Sequence, residues 1–195
     1  MPAILPMVPG TFENYIEPFA GGCALLVELY NLGRIRHAII SDLNGELINL
    51  YTVVRNSPGK LISEIAALPF GNSSISYYSA RERFNGILGL RDSMIERAAL
   101  FLYLNRHGYN GLWRVNSSGK FNVPFGRYRN PAMPDPDHIT AFSRMLFAVS
   151  VTGMKIQLLG GYKFRGIQYG GLAFAGLHDV SCLTVTVPGF HNPAR

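Results

Sequence analysis

At 195 residues, 48% of them hydrophobic, the chain can bury one sizeable core and is too short for two independent large domains, so one domain with an insertion is expected. Its formal charge of +6 is local: residues 1–96 carry seven Lys/Arg against nine Asp/Glu and residues 135–195 carry five against three, whereas Arg97, Arg106, Arg114, Lys120, Arg127 and Arg129 lie between them with no acid. A transmembrane helix is excluded because no run of about eighteen apolar residues exists, and a disulfide framework or zinc cage because Cys23 and Cys182 stand alone and the five histidines are scattered.

In chain order, Met1–Pro9 lacks the basic and then apolar pattern of a secretory leader, so a soluble, cytoplasmic monomer without metal is expected. A short apolar run at Tyr15-Ile16 breaks at Glu17-Pro18-Phe19-Ala20-Gly21-Gly22, and Ala24–Tyr30 follows as a helix. His37–Ile40 reads as a second buried strand closing on Ser41-Asp42, and Asn44 can cap a helix on which Leu47, Leu50, Tyr51 and Val54 recur at helical spacing. Strand, helix, strand, helix implies a parallel sheet with right-handed crossovers. A helix over Lys60–Leu68 leads into a Ser/Gly/Pro-rich surface connection reaching residue 79. Helical pattern resumes near Ala80, strengthens over Met94–Asn105 and stops at Gly108. Trp113–Val115, a Ser-Ser-Gly turn and Phe121–Val123 then read as a hairpin. Ile139–Val149 reads as a helix and Lys155–Leu159 as a strand, whereas residues 160–195, with seven glycines and little periodicity, are expected to be poorly ordered.

Two groups of residues could carry chemistry. A Gly-rich turn between strand and helix lets the backbone approach a ligand, and an acid ending the next strand can accept hydrogen bonds from ribose hydroxyls. Gly21 and Asp42 stand twenty-one positions apart, near the interval of dinucleotide sites. The spacing does not fit G-x-G-x-x-G, however, which favours a nucleoside without a pyrophosphate, such as S-adenosylmethionine. The second group runs from Asn105 through Trp113 and Arg114 to Tyr128, alternating aromatic, amide and guanidinium side chains in a basic, glycine-rich loop. Arginine can read guanine bidentately, apolar groups can touch a thymine methyl and an aromatic can wedge between bases. A solvated basic face and a plain tight turn are the alternatives for the two groups.

Over most of residues 4–159 the chain resembles the adenine-N6 DNA methyltransferases typified by the bacterial enzyme that marks GATC. The likeness is carried by Tyr-Ile-Glu-Pro-Phe-Ala-Gly-Gly at 15–22, Ser-Asp-Leu-Asn at 41–44 followed by Glu-Leu-Ile-Asn-Leu-Tyr, Leu-Phe-Leu-Tyr-Leu-Asn-Arg at 100–106 and the segment 109–128. It implies an α/β, Rossmann-like methyltransferase domain with an incomplete parallel sheet, formed by residues 1–57 and 150–160, and an inserted helical and β-hairpin DNA-recognition segment over 58–149. Glu17, Phe19, Gly21, Gly22 and Asp42 would then bind S-adenosylmethionine, with Asp42 on the ribose. Tyr109 would insert into duplex DNA with Asn110 beside it. Leu112, Arg114 and Pro124 would read base edges, in GATC or a close relative, while Lys120 and Arg127 would hold phosphates.

Two departures weigh against a complete enzyme. The family's Trp-Ala-Gly-Gly-Lys segment is absent, as is its catalytic Asp-Pro-Pro-Tyr, since the sequence holds no Pro-Pro pair. In the family, that motif accepts hydrogen bonds from the amino group of a flipped adenine and stacks on the base. Asp135-Pro136 falls in the wrong place for it. An inactive chain with no catalytic residue of its own, whose residues 161–195 come from a shifted frame or aberrant junction, is the expectation. A non-catalytic DNA-binding remnant or regulator, and a nicotinamide-dependent oxidoreductase on the same strand-turn-helix, stay open beside it.

Overall fold

Apolar runs that end on a turn or an acid become short buried strands. The computed structural model describes residues 5–8, 10 and 14–152. Strand β1 is Asn14–Glu17, β2 is His37–Ser41 and β3 is Val149–Thr152. They form a parallel three-stranded sheet in the order β1-β2-β3, with Ile16 beside Ile39 and Ile40 beside Val151. Parallel neighbours need crossovers, and helix α1, Ala24–Asn31, makes the first one. Tyr15, Leu26, Leu29 and Ile40 are almost wholly buried here. The mixed α/β architecture with a small parallel sheet agrees with the Rossmann-like expectation.

The chain divides into two compact units: one takes the residues up to Ile48 and from Met145 onward, and the other is Asn49–Arg144. The first division falls inside α2, Gly45–Asn56, and the second inside α6, Pro136–Leu146. Asn44 starts α2 as expected, its Oδ1 accepting from the amides of Glu46 and Leu47 at 3.1 and 3.3 Å. Within the second unit, α3 (Pro58–Ala67) and α4 (Ser74–Gly86) both pack on α5 (Met94–His107). Among the described helices α5 has the most buried residues, including Ala98, Ala99, Leu100 and Leu104.

Three elements depart from expectation. Helix α4 begins at Ser74, inside the supposed surface connection, because the Ser73 hydroxyl caps it by accepting from the Ser76 amide at 3.1 Å. Helix α6 starts at Pro136 and stops at Leu146, with the Asp135 carboxylate accepting from the Asp137 amide at 2.7 Å. Val149 therefore opens β3 rather than closing a helix, and the strand expected at Lys155–Leu159 lies outside the described residues. The hairpin is reduced to isolated antiparallel bridges, Val115 with Phe121 and Gly108 with Phe125. Its turn is closed by the Asn116 side chain, which accepts from the amides of Ser118 and Lys120.

Gly108 is closely hemmed in by backbone: a Cβ there would come within 2.6 Å of the Leu104 carbonyl oxygen and 2.9 Å of the Tyr77 hydroxyl. The carbonyl belongs to the last turn of α5 and cannot retreat. Gly108→Ala is therefore expected to destabilise the chain by about 2 kcal/mol or more. Gly86→Ala, where nothing lies within 4 Å, should be neutral or stabilising by up to about 1 kcal/mol through helix propensity. Thermal denaturation of the two variants beside the wild type checks the contrast.

Candidate functional site

At the carboxyl ends of β1 and β2 the turn Pro18–Cys23 and Asp42 are joined directly. The Gly21 amide donates to Asp42 Oδ2 at 3.0 Å, and Oδ1 of the same carboxylate accepts from the Asn44 amide at 2.8 Å. The Ala20 amide donates to the Ser41 carbonyl at 2.9 Å, and the Ser41 hydroxyl donates to the Pro18 carbonyl at 3.2 Å. Two residues of the turn adopt left-handed backbone, Gly21 at φ +46° and Cys23 at φ +54°. The Gly-rich turn itself was legible in the sequence, whereas the left-handed Cys23, fully buried at the head of α1, was not. Gly21 and Gly22 are exposed, and Phe19 and Asp42 are half-buried.

Glu17 sits behind this turn, 5% exposed, and accepts from the Tyr15 hydroxyl at 3.1 Å. Burial raises its pKa to about 7, against the opposing effects of the Tyr15 hydroxyl and a backbone hydrogen bond with Leu26. Each Asp42 oxygen, having accepted one amide, keeps lone-pair capacity for a hydroxyl donor. Those acceptors fit the hydroxyls of a nucleoside's ribose, with the exposed glycines allowing close approach.

The second candidate region lies wholly within Asn49–Arg144. Helix α5 ends at Gly108, and a one-turn 3-10 segment, Tyr109–Gly111, presents Tyr109 with 52% of its surface exposed. The Tyr109 amide donates to the Pro124 carbonyl at 2.9 Å, so the two ends of the loop are tied. Asn110 is left-handed at φ +51°, and its amide donates to the Tyr128 hydroxyl at 2.8 Å. Arg114 is exposed but oriented: its Nε donates to Asn122 Oδ1 at 2.8 Å and its Nη2 to the Asn122 carbonyl at 3.1 Å. Lys120, Pro124 and Arg127 are exposed and Leu112 is half-buried. Beneath them Trp113 packs with Phe101 and Phe121 at ring-centroid distances of 5.0 and 5.1 Å.

Charge alone misplaced one residue. Arg97 belongs to the acid-free stretch yet is buried, at 7% exposure, which leaves Arg106, Arg114, Lys120, Arg127 and Arg129 as its exposed cations. Asn122, Tyr128 and Asn116 emerge as the side chains that shape the loop, which residue type alone did not distinguish from its other amides and aromatics. At the base, His107 is stacked on Tyr103 at 4.1 Å with Nδ1 facing the Tyr103 carbonyl at 2.9 Å. A carbonyl only accepts, so Nδ1 carries the proton, and burial lowers the pKa of the ring.

A carboxyl whose folded pKa of about 7 lies above its ordinary 4.5 costs stability on ionisation. The cost is absent below the unfolded value, grows as pH rises through the interval and is complete above the folded value, on the order of 3 kcal/mol. Glu17→Gln should thus flatten the decline in stability between about pH 4.5 and 7. Urea melts of both proteins across that range decide it, with parallel pH profiles counting against the burial of an ionisable Glu17.

Among the described residues no helix is long and apolar enough to cross a membrane, and no group of three or more His, Cys, Asp or Glu could hold a metal ion. Comparison with known proteins gives 37% identity over 160 residues with the type II methyltransferase M.MjaIII of Methanocaldococcus jannaschii, covering 78% of this chain and 55% of that protein. The type II methyltransferase M1.LlaDCHI of Lactococcus lactis subsp. cremoris is 38% identical over 146 residues, covering 75% of this chain and 50% of its own length. The retron Ec67 DNA adenine methylase of Escherichia coli is 40% identical over 123 residues, 63% of this chain and 41% of that protein. The chain thus spans about half the length of the curated relatives it matches. A family-wide profile, that of the D12 class N6 adenine-specific DNA methyltransferases, matches residues 1–157 and sets aside the nicotinamide reading. By that match, the chain belongs to the D12 class of N6 adenine-specific DNA methyltransferases.

Proposed function

We propose that this chain is the cofactor-binding and target-reading part of a site-specific DNA adenine-N6 methyltransferase, with GATC or a close relative as its target. The observation that carries the reading is the Gly21–Asp42 hydrogen bond, which sets a carboxylate with spare acceptor capacity beside an exposed glycine turn. Asp42 would accept from the ribose hydroxyls of S-adenosylmethionine, Gly21 and Gly22 would let the backbone come close, and Phe19 and Glu17 would flank and back the site. When bound, that cofactor supplies an electrophilic sulfonium methyl group. In the second unit Tyr109 would insert into the duplex with Asn110 beside it. Leu112, Arg114 and Pro124 would meet base edges, and Lys120 and Arg127 would position the phosphates. The exposed cations between Arg106 and Arg129, which face no acid in the sequence from Arg97 to Pro134, support a polyanionic partner.

The proposal includes a limit on chemistry. No Asp-Pro-Pro-Tyr occurs in the 195 residues, and the nearest sequence, Asp135-Pro136, opens α6 with its carboxylate on the Asp137 amide. Without groups to accept from the adenine amino hydrogens, the nitrogen lone pair is not aimed at a methyl donor. The 195-residue chain therefore binds without turning over, which is also the reading of a non-catalytic DNA-binding remnant.

Two measurements test this. Calorimetric titration should show S-adenosylhomocysteine binding and NAD failing to bind. Asp42→Ala should weaken the former by about 10-fold or more, the weight of hydrogen bonds to a charged group. A radiolabelled methyl-transfer assay on GATC duplex should show no incorporation by the 195-residue chain. Turnover there overturns the limit on chemistry, and equal binding of the two ligands overturns the cofactor assignment.

A further inference from the structure

We infer that α4 is a rail that sets the register of the base-reading arm, with Asn85 its positioning residue for target discrimination. The inference rests on the reading of the Tyr109–Arg127 segment proposed above. Tyr77, Arg81 and Asn85 recur every four residues and so share one face of α4. All three reach the backbone of the stretch Phe121–Val123. The Tyr77 hydroxyl donates to the Val123 carbonyl at 3.0 Å, and Arg81 Nη1 donates to the same oxygen at 3.2 Å. Asn85 Nδ2 donates to the Phe121 carbonyl at 3.0 Å, while the Phe121 amide donates to Asn85 Oδ1 at 2.8 Å. One primary amide thus makes both bonds that a neighbouring strand would make.

That substitution matters because the arm has little pairing of its own. Val115 and Phe121 form a single isolated bridge, flanked only by the Asn122 amide donating to the Arg114 carbonyl at 3.0 Å and the Asn116 amide to the Lys120 carbonyl at 2.9 Å, and a two-stranded hairpin by itself is marginal in water. Side chains along an extended stretch alternate in direction. Phe121 and Val123 are buried at 2% and 1% exposure, whereas Asn122 is half-buried and Pro124 exposed. A slip of one residue would turn Asn122 and Pro124 inward and the two apolar residues outward. Asn122 in turn holds Arg114 by Nε and one hydrogen of Nη2, which leaves the terminal edge of the guanidinium fork for a bidentate acceptor such as guanine O6 and N7. The Asn122 amide also donates to the Arg114 carbonyl and the Tyr109 amide to the Pro124 carbonyl, so by holding the backbone of the inward residues α4 fixes the stretch to which Arg114 and Pro124 are tied.

The test compares the 195-residue wild type, Asn85→Ala and Asn85→Asp in fluorescence anisotropy, using one short duplex with a single GATC and the same duplex with those four base pairs permuted. Asn85→Ala should lose about 10-fold or more of the preference for the GATC duplex, while affinity for the permuted duplex, set by phosphate contacts, stays within about twofold. Asn85→Asp keeps the acceptor for the Phe121 amide and loses the donor, so it should fall between. In the absence of DNA, emission of Trp113, the single tryptophan, packed 5.1 Å from the Phe121 ring, should shift to the red in Asn85→Ala. A wild type without preference overturns the target reading and this inference together. A wild-type preference that Asn85→Ala retains overturns this inference alone, as does equal loss of both duplexes with a lowered melting temperature. If Asn85→Ala does not fold, a wild-type preference retained by Asn85→Asp has the same force.

Discussion

The backbone groups of Phe121 and Val123 are buried with no sheet to pair them, and the arrangement of the second unit follows from how they are satisfied. Desolvated amides and carbonyls left without partners cost on the order of a hydrogen bond each. In a β protein another strand would meet that requirement. Here polar side chains of α4 meet it: Tyr77, Arg81 and Asn85 project from one face onto the arm. Burial in this setting pushes the Tyr77 hydroxyl well above its ordinary pKa, which keeps it a neutral donor. Gly108 and Gly126 belong to the same solution. A Cβ at either would collide with neighbouring backbone, at 2.6 and 2.9 Å respectively, so both let the two ends of the loop close on each other.

The cofactor turn solves a related problem at smaller scale. A glycine-rich turn has no intrinsic reason to hold one shape. The Asp42 carboxylate supplies the reason by accepting from Gly21 on one oxygen and Asn44 on the other, coupling the first turn to the start of α2. Together with the bonds joining Ser41 to Ala20 and Pro18, this acid orders the turn and, in the proposed function, would also take the ribose. Glu17, placed behind the turn and held near a pKa of about 7 by burial, gives that region a titratable group in the physiological range.

Much of this was legible in the residues. The twenty-one-residue interval from Gly21 to Asp42 marked the two as parts of one candidate site, and the hydrogen bond that joins them directly was not foreseen. Apolar periodicity placed α2 and α5 well. Helix α4 was half missed for a physical reason: Ser-Ile-Ser-Tyr-Tyr-Ser-Ala-Arg-Glu-Arg-Phe-Asn-Gly carries polar side chains on its inward face, so the apolar stripe that marks a helix is interrupted where the helix matters most. Arg97 misled in the opposite way, since charge along the sequence does not reveal which guanidinium is buried. The hairpin was read correctly as a reversal but not as a pair of isolated bridges, because the pairing it lacks is supplied by residues thirty-six or more positions earlier. The expectation for residues 161–195 lies outside the described residues.

In this account the second unit presents its exposed cations to duplex DNA, and the salt dependence of duplex affinity tests this most directly. With Arg106, Arg114, Lys120, Arg127 and Arg129 exposed and Arg97 buried, the logarithm of the association constant should fall linearly against the logarithm of salt concentration. With Arg114 assigned to base edges, the other four cations give an expected slope of about −3.6, at about −0.9 for each phosphate neutralised. A slope near zero, or no duplex binding at low salt, would contradict it.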